Sequence, residues 1–270
     1  VVPNEAERYS HGHHESVLRS HQWRTAENSA GFLLNHLASG QDLLDVGCGP
    51  GTITTDLALR VAPGRTVGID LSPDVIATAR QIQETSESGN VVFDVGNVYD
   101  LNYANASFDV VYAHQVLQHL VDPVAALGEM KRVLRVGGLL AVRDSDYGAF
   151  VWAPDDRCLN RWMEIYQQLT TENKAHANAG RYLPSWIREA GFEGLEVSSS
   201  TWTFYQPDER AWWGHMWADR VRMSEFANQS LEYGLTTRNE LDEIADAFLR
   251  WADDDDGLFI IVHADVIARR

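Results

Sequence analysis

Cysteine is scarce in this sequence: Cys48 and Cys158 are the only two in 270 residues, which excludes a disulfide framework. A reducing, cytoplasmic home is the simplest expectation. Long apolar runs are missing, so no membrane insertion is expected. The first residues are polar and rich in histidine and lack the apolar core of a signal peptide. Positive charge is in short supply too. Lys and Arg number 22 against 39 Asp and Glu, for a net charge of −17. Nucleic acid and anionic lipid are recognised by clustered Lys and Arg, so neither is an expected partner. A small, neutral or cationic molecule fits this overall charge best. The acidic run Asp253 to Asp256 lacks the spacing of a calcium loop and reads as solvated.

What is present suits one large domain with an elaboration. Hydrophobic residues make up 44% of the chain, and there are nine Trp. The chain is organised around Leu43-Leu44-Asp45-Val46-Gly47-Cys48-Gly49-Pro50-Gly51. An apolar run ends in a carboxylate and a glycine-dense turn, and Thr52 to Val61 then reads as a helix. This is a buried parallel strand turning sharply into a helix, with backbone exposed at the turn. The spacing is not the G-x-G-x-x-G of a dinucleotide fold, because position 52 is Thr52. A nicotinamide-dependent oxidoreductase is therefore disfavoured.

Strand and helix signals alternate beyond this turn. Thr66 to Asp70 is a second apolar strand ending in an acid. Ser72 and Pro73 read as the cap and first residue of the next helix. Val91 to Val95 is a third strand and Ser107 to Ala113 a fourth. Asp122-Pro123 opens a helix with Val124, Leu127, Met130 and Leu134 at helical spacing. Gly137-Gly138 turns the chain into a fifth strand at Leu139 to Val142. Helices are expected near 156–175 and 181–190, and a sixth strand at 192–205. A helical stretch at 206–256 and a last strand at 257–268 complete the chain.

The glycine turn resembles motif I of the class I S-adenosylmethionine (SAM) methyltransferases, hydrophobic-hydrophobic-D-x-G-x-G-x-G. The passage from SFDVVYAHQVLQHL to VLRVGGLLAVRD is similar to later motifs of that family. The resemblance covers about residues 40–145 and is broadest toward the ubiquinone/menaquinone C-methyltransferase type. It implies a Rossmann-like α/β fold: a seven-stranded sheet with its last strand antiparallel between strands five and six, helices on both faces, and a helical lid insertion. The expected divisions are a cap segment at 1–38, a cofactor core at 39–205 and 257–270, and the insertion at 206–256.

The cofactor implied is SAM. The resemblance puts Asp45, Gly47, Gly49 and Gly51 in its binding turn, Asp70 on the ribose hydroxyls and Leu71 on the adenine face. Asn97, with Val98, stands where the family usually carries an acid against the adenine amino group, and its side-chain oxygen can still accept a hydrogen bond. His114 is placed against the methionine moiety. A helix expected over about Ser20–Leu37 carries Ala26, Ala30, Leu33 and Leu37 on one stripe and His21, Thr25 and Asn28 beside it. The family's helix there covers the methionine end, which makes Tyr9, Thr25 and Asn28 further candidate contacts. Ligands of open α/β sheets sit beyond the carboxyl ends of the strands. Asp45, Asp70, Asn97, His114 and Asp144 all fall there.

The activity implied is methyl transfer to a small-molecule acceptor, with oxygen, nitrogen, sulfur and carbon all open. A SAM-binding protein without transferase activity is the alternative. His119 and Asp144, after adjacent strands, form a candidate base and its orienting carboxylate. Trp213 and Trp217 share a helix face while Trp212 turns away, which suits core packing or an aromatic acceptor pocket. His11, His13 and His14 could chelate a metal, but no thiol or carboxylate completes a spacing, and no metal site is expected. Oligomeric state is not legible.

Overall fold

The computed structural model describes residues 8–10, 12, 21, 23–84, 86 and 88–270. Strands β1 (Leu43–Val46), β2 (Thr66–Asp70), β3 (Val91–Val95), β4 (Phe108–His114) and β5 (Leu134–Ser145) pair in parallel in the order β3-β2-β1-β4-β5. The helices between them are α2 (Thr52–Val61), α3 (Pro73–Glu84) and α4 (Pro123–Val133), and α1 (Ala26–Leu34) precedes β1. Successive strand residues point to opposite faces. Leu43 and Val110 join a cluster with α1 and α2, whereas Leu44 and Val111 join one with α4 and α6 (Leu183–Glu189). β1 and β4 are buried on both sides, which explains their near-continuous apolar runs.

Beyond β5 the sheet continues through β8 (Leu258–Arg269), which runs antiparallel to β5 with Arg143 directly opposite Asp265. β7 (Glu193–Phe204) lies antiparallel on the other edge of β8. The last strand therefore inserts between its two predecessors as expected. One strand is additional: β6 (Val151–Ala153) follows β5 along the same edge of β8, giving eight strands in place of seven. Three residues are too short for an alternation signal, so this strand is set by its pairing with Leu258, Phe259 and Ile260.

The expected helix over Ser20–Leu37 is shorter. It starts at Ala26 because Thr25 and Asn28 form a capping box: Thr25 Oγ1 accepts from the Asn28 N–H at 3.2 Å, and Asn28 Oδ1 accepts from the Thr25 N–H at 2.9 Å. Asp122 caps α4 in the predicted way, with Pro123 in the first turn. β5 begins at Leu134, five residues before the expected start, because Leu134 already pairs with Phe108.

A second core lies at the carboxyl end of the sheet. Helices α7 (Pro207–Met223), α8 (Glu225–Glu232) and α9 (Arg238–Asp253) pack there around Trp162, Trp213, Trp217, Phe248 and Trp251. Trp162 belongs to α5 (Arg157–Glu172), so this helix packs with the 206–256 stretch and not with the parallel sheet. Among the described residues no helix is long and apolar enough to cross a membrane.

Candidate active site

A cavity of about 350 Å³ opens at the carboxyl ends of β1, β2, β4 and β5. One end is the glycine turn. Gly47, Gly49 and Gly51 all have positive φ, at 70°, 55° and 82°. At Gly47 an added Cβ would lie 2.4 Å from Val116, and at Gly51 it would lie 2.5 Å from Phe93. Gly49 faces open space, its nearest neighbour being His21 at 3.7 Å. The two outer glycines are therefore required by packing, and Gly49 leaves backbone open to a ligand. Gly47 and Gly49 line the cavity; Gly51 sits beneath the turn and does not.

Asp70 and Leu71 line the same end, and Leu71 is 67% exposed. Asp70 accepts the N–H of Gly49 at 3.2 Å and of Ser72 at 3.0 Å, which fixes its carboxylate on the cavity rim. Asn97 and Val98 form the neighbouring wall, with Asn97 Oδ1 accepting from the Tyr99 N–H at 3.0 Å. Asp45 is buried beneath the turn, and Thr54 donates its hydroxyl to it at 2.6 Å. Burial pushes the Asp45 carboxyl up to about 7.

Behind the lining residues Ser145, Trp202 and Ile261 lies a buried polar cluster built across β5, β7 and β8. Arg143 lies 3.1 Å from Asp265, with both side chains 2% exposed. Arg143 also donates to Ser200 Oγ at 3.1 Å and to the carbonyl of Asn28, meets His263 at 3.1 Å, and lies over the Trp202 ring at 4.8 Å. Trp202 Nε1 donates to the same Asn28 carbonyl at 2.7 Å. Asn28 thus acts through its backbone, tying α1 to this cluster. The side chains of Thr25 and Asn28 are spent on the cap, and neither residue lines the cavity, which corrects their expected role as cofactor contacts. His114 does line it; its ring nitrogens are buried without hydrogen-bond partners among the described residues, and burial holds the ring well below the usual imidazole range, hence neutral.

His119 and Tyr9 line the cavity side by side, their rings edge-on at 4.7 Å. Burial, reinforced by Arg24, drives His119 down to about 3. Asp144 lies behind the wall. Its Oδ1 accepts from the Gln118 N–H at 3.3 Å, while a His119 ring nitrogen meets Gln118 Nε2 at 2.9 Å. Both side chains engage residue 118. Burial lifts the Asp144 carboxyl to about 8, so it is mostly protonated at neutral pH. The arrangement does not support the expected His119–Asp144 base pair: the imidazole is a feeble base and the carboxyl carries little charge. Asp144 instead holds the turn Leu117–His119 in place. His11, His13 and His14 fall outside the described residues.

Four residues complete the cavity that the sequence motifs do not mark. Arg24 donates to Gln115 Oε1 at 2.7 Å and lies over Trp202 at 5.5 Å, and its Nε is buried without an acceptor among the described residues. Gln115 has a positive φ of 54°, a strained backbone at the end of β4 that turns its side chain toward Arg24, Ser145 and His263. Trp202 comes from β7. Arg220 follows Trp213 and Trp217 at helical spacing on α7, and that spacing is the signal that could have found it. Trp212, Trp213 and Trp217 all line the far end; Trp213 and Trp217 are also core, stacked with Phe204 and Phe248.

The chain is similar to known proteins. A family model described as a methyltransferase domain covers residues 37–191. A Schizosaccharomyces pombe protein named as an uncharacterized methyltransferase is 30% identical over 97% of this chain and 96% of its own length. The chain belongs to the class I SAM-dependent methyltransferases. An O-methyltransferase of Penicillium expansum, cnsE, is 33% identical over 60% of this chain and 55% of its own. Among solved structures, the fold is similar to phosphoethanolamine N-methyltransferase 2 of Haemonchus contortus bound to S-adenosylhomocysteine (SAH). Its TM-score is 0.53 at 18% identity, over 86% of this chain and 49% of that one. SAM is the cofactor of this methyltransferase, and the open Gly49 backbone, the rim carboxylate of Asp70 and the orphaned Arg24 Nε suit its backbone-facing, ribose and carboxylate groups.

Proposed function

We propose that this methyltransferase moves a methyl group from SAM to an oxygen atom of a small molecule. The observation that carries the assignment is the continuity of one cavity from the glycine turn and Asp70 to the aromatic wall of α7. A donor at one end and an acceptor at the other can then meet along one line. Alignment of that kind supplies much of the rate in a displacement reaction. Bound SAM supplies a methyl group activated by the sulfonium.

The chain's own residues divide the work. Asp70 holds the ribose hydroxyls, Leu71, Asn97 and Val98 enclose the adenine, and Gly47 and Gly49 let the backbone approach. Arg24, a half-buried cation whose described partners include no carboxylate, holds the methionine carboxylate. His114 stays neutral against the methionine end. The Trp and Tyr walls exclude water from the reacting groups. Resemblance to cnsE favours oxygen among the possible acceptor atoms.

The test is a binding and turnover pair. SAH should bind the full chain and NAD should not, and SAM should be consumed when phenols, amines and thiols are offered, with methyl ethers as the product. Methylation only of amines or thiols would overturn the oxygen assignment. Tight SAH binding with no consumption of SAM would favour the non-catalytic alternative.

A further inference from the structure

Arg24 reaches the cavity from the segment ahead of α1 and is met there by an amide: Gln115 Oε1 accepts from it at 2.7 Å, and both residues line the cavity. Arg132, Arg135, Arg143 and Arg161 each meet a carboxylate instead. An amide oxygen fills one donor of a guanidinium without neutralising it. Burial lowers Arg24 to about 10, which leaves it charged at neutral pH. Its Nε has no acceptor among the described residues. The cation is thus gripped with charge and a donor to spare.

Gln115 is itself held at several points. Its φ is 54°, and its backbone N–H donates to the Arg143 carbonyl at 2.7 Å, so the chain turns against β5 as soon as β4 ends. Its Nε2 donates to Ser145 Oγ at 2.7 Å and meets His263 Nε2 at 3.0 Å. Ser145 is 1% exposed and His263 is fully buried, so neither has room to follow the amide if it swings. Arg24 carries donors only, so the amide oxygen is the atom that must face it. Turning the amide over would set N–H against N–H.

Resting on the proposed place of the methionine carboxylate at Arg24, we infer that Gln115 is a positioning residue for the cofactor. It aims the Arg24 guanidinium at that carboxylate and, being an amide and not an acid, leaves the positive charge for the ligand. Gln115 acts through Arg24 and does not itself hold the carboxylate. A glutamate of the same length would occupy Arg24 from inside the protein and set a second negative charge beside the ligand's. At an effective dielectric of about 20, like charges about 6–10 Å apart repel enough to lower affinity about ten- to a hundredfold. Loss of the orienting hydrogen bond alone is worth less, about two- to tenfold.

The experiment measures binding of SAH and of 5′-methylthioadenosine by calorimetry, with the full chain as wild type, Gln115→Glu, Gln115→Met, Arg24→Gln and the double variant Arg24→Gln with Gln115→Met. 5′-Methylthioadenosine has no carboxylate, so its affinity reports whether the rest of the cavity is intact. SAH affinity should fall about ten- to a hundredfold in Gln115→Glu and about two- to tenfold in Gln115→Met, with 5′-methylthioadenosine unchanged in both. Once Arg24 is replaced, Gln115→Met should cost SAH nothing further. Gln115→Met is neutral and of similar length, so it carries the test alone if the added charge of Gln115→Glu prevents folding. Equal losses of both ligands in the Gln115 variants would overturn the inference, because Gln115 would then support the cavity in general. So would an added loss of SAH from Gln115→Met in the double variant. Arg24→Gln losing SAH but keeping 5′-methylthioadenosine, while the Gln115 variants bind as wild type, would sink this inference alone. Arg24→Gln binding SAH as wild type does would remove the carboxylate from Arg24 and sink the broader placement with it.

Discussion

The proposed cofactor end and the proposed acceptor end of this methyltransferase's cavity are made in different ways. The cofactor end is local and largely backbone: one glycine turn, one carboxylate at the end of β2 and one Asx turn at Asn97, each within a few residues of a strand end. The acceptor end is assembled from side chains far apart in sequence, including Tyr9, Trp23, Tyr147, Trp202 and Arg220. Backbone geometry imposes spacing on a sequence. A wall of rings can be met by many sequences, so it leaves composition and little pattern. The buried cluster of Arg143, Asp265 and His263 lies behind the cavity wall.

That contrast yields graded expectations. The largest effect should come from the buried cluster behind the cavity. Asp265→Ala leaves Arg143 buried without its ion-pair partner, and breaking such a pair costs about 3–5 kcal/mol. Thermal or denaturant unfolding of the variant should show this loss. An unchanged midpoint would mean that the pair does not hold the strands behind the cavity together.

Asp70→Ala should act on one end only. SAH binding should weaken by about 1–3 kcal/mol, the range for buried hydrogen bonds left unmade, and calorimetry would read it. Arg24→Gln should weaken SAH binding while leaving 5′-methylthioadenosine, which lacks the amino acid portion, unaffected. Equal losses for both ligands would move Arg24 away from the carboxylate.

The next effect is a pH slope. Asp144 has a folded value near 8, above its ordinary range, so the folded state holds a proton that the unfolded chain has released. Its contribution to stability is complete below the ordinary carboxyl range and is lost as pH rises toward 8. Asp144→Asn keeps an acceptor for the Gln118 N–H and removes that slope. Its stability relative to wild type should therefore rise between about pH 4 and 8. A parallel pair of stability curves would contradict the burial of an ionisable proton there. The smallest effect should be His119→Ala, with turnover changed only a few-fold because the ring is too weak a base to matter.

Much of the sheet was legible because strand ends, caps and turns leave local marks. Ser72 and Pro73, Asp122 and Pro123, and the glycine turn each name their place. Thr25 and Asn28 show the limit of such marks. The same polar residues suit a ligand contact or a capping box, and only the fold reveals that their side chains are already spent. His119 and Asp144 show a second limit. Chain order placed them near each other, but burial decides protonation, and burial depends on packing from distant segments. Net charge shows a third limit. The chain total of −17 says little about a cavity that receives Arg24 and Arg220.

The most direct test of the account is transfer of isotopically labelled methyl from SAM, with the full chain, into a set of phenols followed by mass spectrometry. The account predicts one labelled methyl ether formed for each SAH released, dependent on the added phenol. SAH bound tightly with no label in any acceptor would contradict it.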